Sequence, residues 1–327
     1  MTLPPDDAPR ARGRRGRSRA EFEARAQATV AEFEAQVRAR KAQLDAIEER
    51  IEARTGRNLP LAILIGLVLG FALLFSLIVE KAFYMPFAAA LVAFTSFELA
   101  SALRFAGRDV PRLPTVLAGV AVVPAAFYGH AEGHWLASLG GMAFVTLWRV
   151  AELARPSHRA SARELWADIA SGVFIQAYVT FLGTITVLLT AEEGGQWWTL
   201  AFLIVVIGSD TAAYASGLLW GRHPLAPRIS PKKTWEGFLG SIAVAVVIGI
   251  FLAEFMIRVP WWAGIVFGLV LVVTATLGDL VESLIKRDLG IKDISTWLPG
   301  HGGFLDRVDS VLPSAAAAYA LYLVFGT

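Results

Sequence analysis

No cysteine occurs in the 327 residues, so disulfides, thiolate nucleophiles and thiolate metal sites are all excluded. Lysine is scarce, with six against twenty-four arginines. Charged residues make up only 18% of the chain while 55% is apolar, which excludes an ordinary soluble protein and points to a polytopic membrane protein. No Walker A loop, dinucleotide fingerprint, zinc ligand spacing or Ser/His/Asp triad is present. No apolar run begins before about Leu59, so a secretory signal is not expected, Arg14-Arg15 is a poor twin-arginine candidate, and the N-terminus is expected in the cytoplasm.

What is there begins with a basic segment. Residues 1–57 hold thirteen of the thirty Lys and Arg. Residues 1–19, rich in Arg, Pro and Gly, are expected to be a disordered basic tail. Residues 20–57 read as a cytoplasmic amphipathic or coiled-coil helix, with Val30, Phe33, Val37, Leu44, Ile47 and Ile51 at a and d spacing. Beside a membrane, such charge suits anionic headgroups better than nucleic acid, and no nucleic-acid partner is expected.

Residues 58–327 form the membrane part. The fold class expected is all-α, polytopic, with about nine spans near 59–79, 83–103, 110–129, 133–151, 168–190, 197–219, 237–256, 260–281 and 309–326. Alternating from an inner N-terminus places Arg104, Arg108, Arg112, Arg149, Arg155, Arg159, Arg163, Arg222, Arg228, Lys232, Lys233, Lys286, Arg287, Lys292 and Arg307 inside, fifteen in all, and only Lys81 and Arg258 outside. That asymmetry is what the positive-inside rule demands.

Four clusters carry chemistry. Asp210 lies mid-span, where a carboxylate costs about 3 kcal/mol and needs a polar cavity. Ser230-Pro231-Lys232-Lys233-Thr234 precedes the seventh span; Ser230 reads as an N-cap with Pro231 at the first helical position, and the lysines and hydroxyls suit phosphate oxygens. Four of the six lysines fall in this loop and the one after the eighth span, where a generic inner charge in this chain would be arginine. Asp279, Glu282 and Lys286 share one helical face, which fits either a divalent cation bound through oxygen or an i, i+4 ion pair. The fourth cluster runs Pro299-Gly300-His301-Gly302-Gly303-Phe304-Leu305-Asp306-Arg307-Val308-Asp309, whose glycine amides can approach an anion and whose two aspartates lie one helical turn apart. His301 reads as a turn histidine or a general base. Carboxylates for Mg²⁺ and lysines for phosphate together indicate phosphoryl or nucleotidyl transfer at an inner membrane face.

The stretch from Ser283 to Asp309 resembles the defining motif of the phosphatidate cytidylyltransferase, or CDP-diacylglycerol synthase, family: Ser283, Lys286-Arg287, Lys292-Asp293, Pro299 through Gly303, then Asp306-Arg307, an apolar residue and Asp309. Ser209-Asp210-Thr211, Ser230 to Gly237 and Gly278-Asp279 resemble the family's other landmarks in the same order, with Ala212-Ala213 standing where a Gly-Ala pair is more usual. The resemblance implies an all-helical, dimeric plasma-membrane enzyme with a cavity open to the cytoplasm, converting CTP and phosphatidate to CDP-diacylglycerol and pyrophosphate. It implies a metal held by Asp279 and Asp306, read as Mg²⁺ with a second cation left open, and Glu282 and Asp309 are inferred beside it as metal-supporting residues. Lys286 and Asp210 join Asp279 and Asp306 as catalytic candidates. Ser230, Lys232, Lys233, Thr234, Arg287, Lys292, His301, Gly302, Gly303 and Arg307 are candidates for holding phosphates. The alternatives are a CTP-dependent polyprenol kinase, a transporter with an acidic path and a structural membrane anchor.

Overall fold

A computed structural model describes residues 59–291, 294, 295, 297 and 302–326, with side chains from residue 66. The expected tail and amphipathic helix at 1–57, and the candidates Lys292 and His301, lie outside the described residues. From Ala62 onward the chain forms one unit.

Eight helices carry it: α1 (Leu59–Ile78), α2 (Lys81–Phe105), α3 (Arg112–Glu152), α4 (Ala162–Ala191), α5 (Gly195–Trp220), α6 (Trp235–Ile257), α7 (Trp261–Asp288) and α8 (Leu305–Phe325). Seven of them, α2 to α8, are long and apolar enough to cross a membrane. Only helices satisfy their backbone groups within such a segment, so length and apolarity select this architecture. Large apolar side chains such as Phe71, Leu117, Leu136, Leu218, Val247 and Phe255 stay exposed, as lipid contact requires. Packing between helices relies on small residues instead: a Cβ at Gly249 would collide with the Gly264 carbonyl, so α6 and α7 meet backbone to backbone.

Seven differs from the nine spans expected, and the reason is physical. The third and fourth expected spans are one assigned element, α3, of 41 residues. At about 1.5 Å per residue this is twice the hydrocarbon thickness of about 30 Å. The element breaks at His130 (φ 49°, ψ −145°). Beyond the break it returns along itself, with Gly133 against the Ala125 carbonyl and Gly141 against Ala118. The first expected span is α1, whose stretch with described side chains, Gly66–Ile78, is shorter than a crossing.

A second departure is a hairpin between α5 and α6. Strand β1 (Pro224–Ala226) pairs antiparallel with β2 (Ser230–Thr234), with Pro224 opposite Thr234 and Ala226 opposite Ser230. Ser230 is therefore no N-cap. Thr234 takes that role: its Oγ1 accepts from the Gly237 amide at 3.1 Å, and α6 starts at Trp235. Glu236, in the first turn, accepts from the Arg222 and His223 amides at 3.1 and 3.2 Å and from His223 Nδ1 at 2.6 Å. These bonds tie the hairpin to the mouth of α6.

Buried charge also holds α2, α3 and α4 together. Arg149 is 1% exposed. It donates to Asp168 Oδ2 from Nη2 at 2.7 Å and from Nε at 3.1 Å, and reaches Asp109 at 3.5 Å. Arg104 pairs with Asp109 at 2.9 Å, His158 Nδ1 with Asp109 at 2.6 Å, and the Asp109 amide donates to Asp168 at 2.9 Å.

Candidate active site

Helix α7 runs on to Asp288, one to two turns past the apolar stretch, and so projects its polar residues from a rigid rod. Asp279 and Ser283 stand one turn apart, with Ser283 Oγ 3.4 Å from Asp279 Oδ1. Glu282 and Lys286 form the i, i+4 pair at 2.6 Å. Helix α8 starts with Leu305–Val308, is interrupted at Asp309 and Ser310, and resumes at Val311. Asp309 and Ser310 keep helical dihedrals across this gap, and Asp309 Oδ1 accepts from the Ser310 amide at 2.8 Å. The two helices touch by backbone: a Cβ at Gly278 would fall on the Asp309 carbonyl and come within 2.8 Å of Pro313 Cγ.

This contact gathers carboxylates. One oxygen each of Asp279, Glu282 and Asp309 lie within 4.8 Å of one another. Glu282 is buried at 1% exposure, and its Oε1 has no hydrogen-bond partner. A buried, unpartnered carboxylate oxygen is expensive unless a cation meets it. Three hard oxygen donors from two helices suit Mg²⁺, so the residues present fit the cation expected from sequence.

Lysines flank the acids. Lys233, delivered by β2, forms an ion pair with Asp279 Oδ2. Lys286 bridges Glu282 and Asp306, the latter at 3.3 Å. Asp210, on α5, lies within electrostatic reach of Asp279 and Lys233. Thus Asp210, Lys233, Asp279, Glu282, Lys286, Asp306 and Asp309 come together from α5, β2, α7 and α8. Asp306 stands beside the three-carboxylate group, held by Lys286, rather than within it. Arg287 leans away to the hairpin, 3.4 Å from the Ile229 carbonyl. Lys232 and Arg307 are exposed and Ser230 is half-buried.

The glycine loop differs from its sequence reading. Gly302 takes φ +81°, which a side chain would resist. The Gly303 amide, expected to face an anion, donates to Asp306 Oδ2 at 2.9 Å. The next two amides, Phe304 and Leu305, donate to Glu98 Oε1 and Oε2 at 3.0 Å each. Ser295 Oγ donates to Glu98 Oε1 as well. Glu98, on α2 and 2% exposed, therefore anchors both ends of the loop. Phe94 stacks on Phe304 at 4.8 Å and Phe97 on Trp297 at 5.4 Å, so one face of α2 is the platform for the loop. Glu98 escaped the sequence reading, although an acid within an apolar span is as costly there as at Asp210.

The sequence was compared with known proteins. A family model described as the cytidylyltransferase family matches residues 61–325. A protein of Mycobacterium bovis named phosphatidate cytidylyltransferase is 38% identical over 273 residues, covering 82% of this chain and 89% of its own length. One of Mycobacterium leprae with the same name is 38% identical over 278 residues, covering 82% of this chain and 88% of its own. One of Brucella suis, named likewise, is 41% identical over 157 residues, covering 48% and 57%.

Proposed function

The chain belongs to the cytidylyltransferase family, and from that premise we propose that the acid–lysine cluster transfers a cytidylyl group from CTP to phosphatidate, giving CDP-diacylglycerol and pyrophosphate. The observation that carries this reading is the group Asp279, Glu282 and Asp309, three carboxylates from two helices, flanked by Lys233 and Lys286.

In the reaction a phosphatidate phosphate oxygen attacks the α-phosphorus of CTP, and the bond to the β-phosphate oxygen breaks. The obstacle is repulsion between two anions. Asp279, Glu282 and Asp309 would hold Mg²⁺, with Asp306 adjacent. Bound there, Mg²⁺ would neutralise charge on the α-phosphate and the departing pyrophosphate. Lys233 and Lys286 bind phosphate oxygens, having been placed by their carboxylate partners. Ser230, Lys232, Thr234, Arg287, Gly302, Gly303 and Arg307, with Lys292 and His301 on sequence alone, are the further candidates for holding phosphates. A phosphomonoester with a second pKa of about 6 is largely ionised at neutral pH, so the nucleophile needs no strong base, and His301 is not required as one. Asp210 supports the cluster from α5.

The fold supports a matching topology. Counting α3 as two passes, with α1 and the six other long helices, gives nine crossings, the N-terminus and the hairpin both at the cytoplasmic face of the plasma membrane. The thirteen Lys and Arg of residues 1–57 suit anionic headgroups beside that face, and 58–327 form the catalytic part. We include homodimerisation and room for a second cation in the same reading.

The test uses purified protein in detergent with labelled CTP, phosphatidate and Mg²⁺. Stoichiometric liponucleotide and pyrophosphate, lost on adding EDTA, are expected. Release of CDP with a phosphorylated polyprenol, and no liponucleotide, would transfer the site to the lipid-kinase reading.

A further inference from the structure

Helix α4 departs from α geometry beside the acid cluster. Residues Gln176–Phe181 form a π turn within an otherwise regular helix. Such a turn inserts one residue, re-aims the side chains around it and recurs at functional sites. Tyr178 lies in it. Its ring stacks on Phe174 at 5.4 Å with planes within 5°, and belongs to the cluster of Leu99, Leu305 and Leu312. Tyr178 is 8% exposed, and its hydroxyl is buried without a hydrogen-bond partner among the described residues.

A buried phenol ordinarily finds an acceptor, because leaving the group unmatched costs about 1–3 kcal/mol. Leu305 and Leu312 of that apolar cluster lie on α8 on either side of Asp309, and Ile285 of α7, close to Glu282, packs against it, so Tyr178 borders the α7–α8 contact where the carboxylate cluster of Asp279, Glu282 and Asp309 forms. In that cluster Glu282 Oε1 is also buried and unpartnered. The hydroxyl and Oε1 therefore do not bond each other, although both belong to one small polar region. With its ring stacked on Phe174 the hydroxyl bonds none of the carboxylates, so the acceptor it suits arrives from outside. A neutral phenol is a donor and a poor ligand for a hard cation. The arriving group that offers acceptor oxygens at an acid–lysine cluster is a phosphate.

We propose that the Tyr178 hydroxyl donates a hydrogen bond to a phosphoryl oxygen of substrate at the acid cluster, a third anion contact beside Lys233 and Lys286. This rests on the cluster being the transfer site. The oxygen belongs to the phosphatidate phosphate or to the α-phosphate of CTP, and kinetics separates the two.

The experiment is Tyr178→Phe, which removes one oxygen and keeps the ring. It is assayed at saturating Mg²⁺ with each substrate varied in turn, and melted in the same detergent. The expected result is a fall in kcat/KM of about tenfold or more, as for loss of a hydrogen bond to a charged group, with Tm unchanged or raised. A KM rise confined to phosphatidate places the acceptor on the lipid; one confined to CTP places it on the nucleotide; a fall in kcat alone places the contact in the transition state. Wild-type kinetics for both substrates overturns the proposal. So does a Tm lowered by several degrees with kcat/KM restored on cooling, since the hydroxyl then serves packing. Asp279→Asn run alongside separates the two failures: full turnover there removes the site itself, while an inactive Asp279→Asn with a normal Tyr178→Phe removes only the phenol contact.

Discussion

Around Arg149 three carboxylates, Asp109, Glu152 and Asp168, lie with Arg104, Arg149 and His158, and the two aspartates are matched by these bases within 2.6 to 3.5 Å. Around Asp279 five carboxylates, Asp210, Asp279, Glu282, Asp306 and Asp309, face Lys233 and Lys286. Both regions bury charge among helix ends. In the first the charges balance and it acts as a clamp, although Asp109 Oδ1, ion-paired to Arg104, and Glu152 Oε2 accept no hydrogen bond. The second carries an acidic excess and two unmatched polar atoms, Glu282 Oε1 and the Tyr178 hydroxyl. Buried charge is tolerated when paired and costly when not. An unbalanced cluster is thus a better marker of ligand chemistry than the number of charges in it. Asp109, Glu152 and His158 also bring three ligand atoms close together, but Arg104 and Arg149 already hold Asp109.

Substitutions can break this contrast. The largest effect is expected at the acid cluster. Asp306→Asn and Asp279→Asn should each lower kcat by about a thousandfold or more, as removal of transition-state charge stabilisation does, while melting stays within a few degrees of the parent. A near-normal rate in either would erase the distinction between the two regions. Next comes the clamp. Arg149→Met leaves Asp168 buried and unpaired and should destabilise by about 3–5 kcal/mol, with kcat of the folded fraction little changed. Adding Asp168→Leu should recover most of that loss in the same unfolding assay. A clamp variant that melts normally but turns over slowly would reverse the roles assigned here. Glu98→Gln puts an amide where three donors converge, and kcat/KM should fall about tenfold, as for one buried donor losing its acceptor. Steady-state kinetics that match the parent would detach Glu98 from the site. The smallest effect is expected for His301→Gln, below about tenfold, since a general base contributes about 10² to 10⁴. A loss equal to that of Asp306→Asn would make His301 a catalytic base.

Much of this was legible along the chain, wherever the signal was local. Asp279, Glu282 and Lys286 share a face because helical spacing fixes it, and Ser283 falls beside Asp279 for the same reason. The charged loops flag themselves by lysine in an arginine-rich chain. Failures came where partners are distant. Glu98 bonds Phe304 and Leu305, about two hundred residues away, and no spacing rule reaches that far. Tyr178 looks like any aromatic in an apolar run until the π turn and the unmatched hydroxyl are seen. Ser230-Pro231 carries a helix-start pattern, yet pairing with Pro224–Ala226 makes it strand and moves the cap to Thr234. The Gly303 amide faces a carboxylate of its own loop because Asp306, three residues on, reaches it first.

At Gly278 the nearest neighbour of the missing methyl is the main chain of Asp309 itself. The separation of Asp279 from Asp309 is therefore set by backbone against backbone, as a calliper is set by its jaws. Any side chain at position 278 would push the two helices apart and open that span. Hard cations differ in preferred oxygen distance by about 0.3–0.5 Å between Mg²⁺ and Ca²⁺. The residue at 278 ligates nothing, yet a methyl there would bear on which cation the carboxylates can hold.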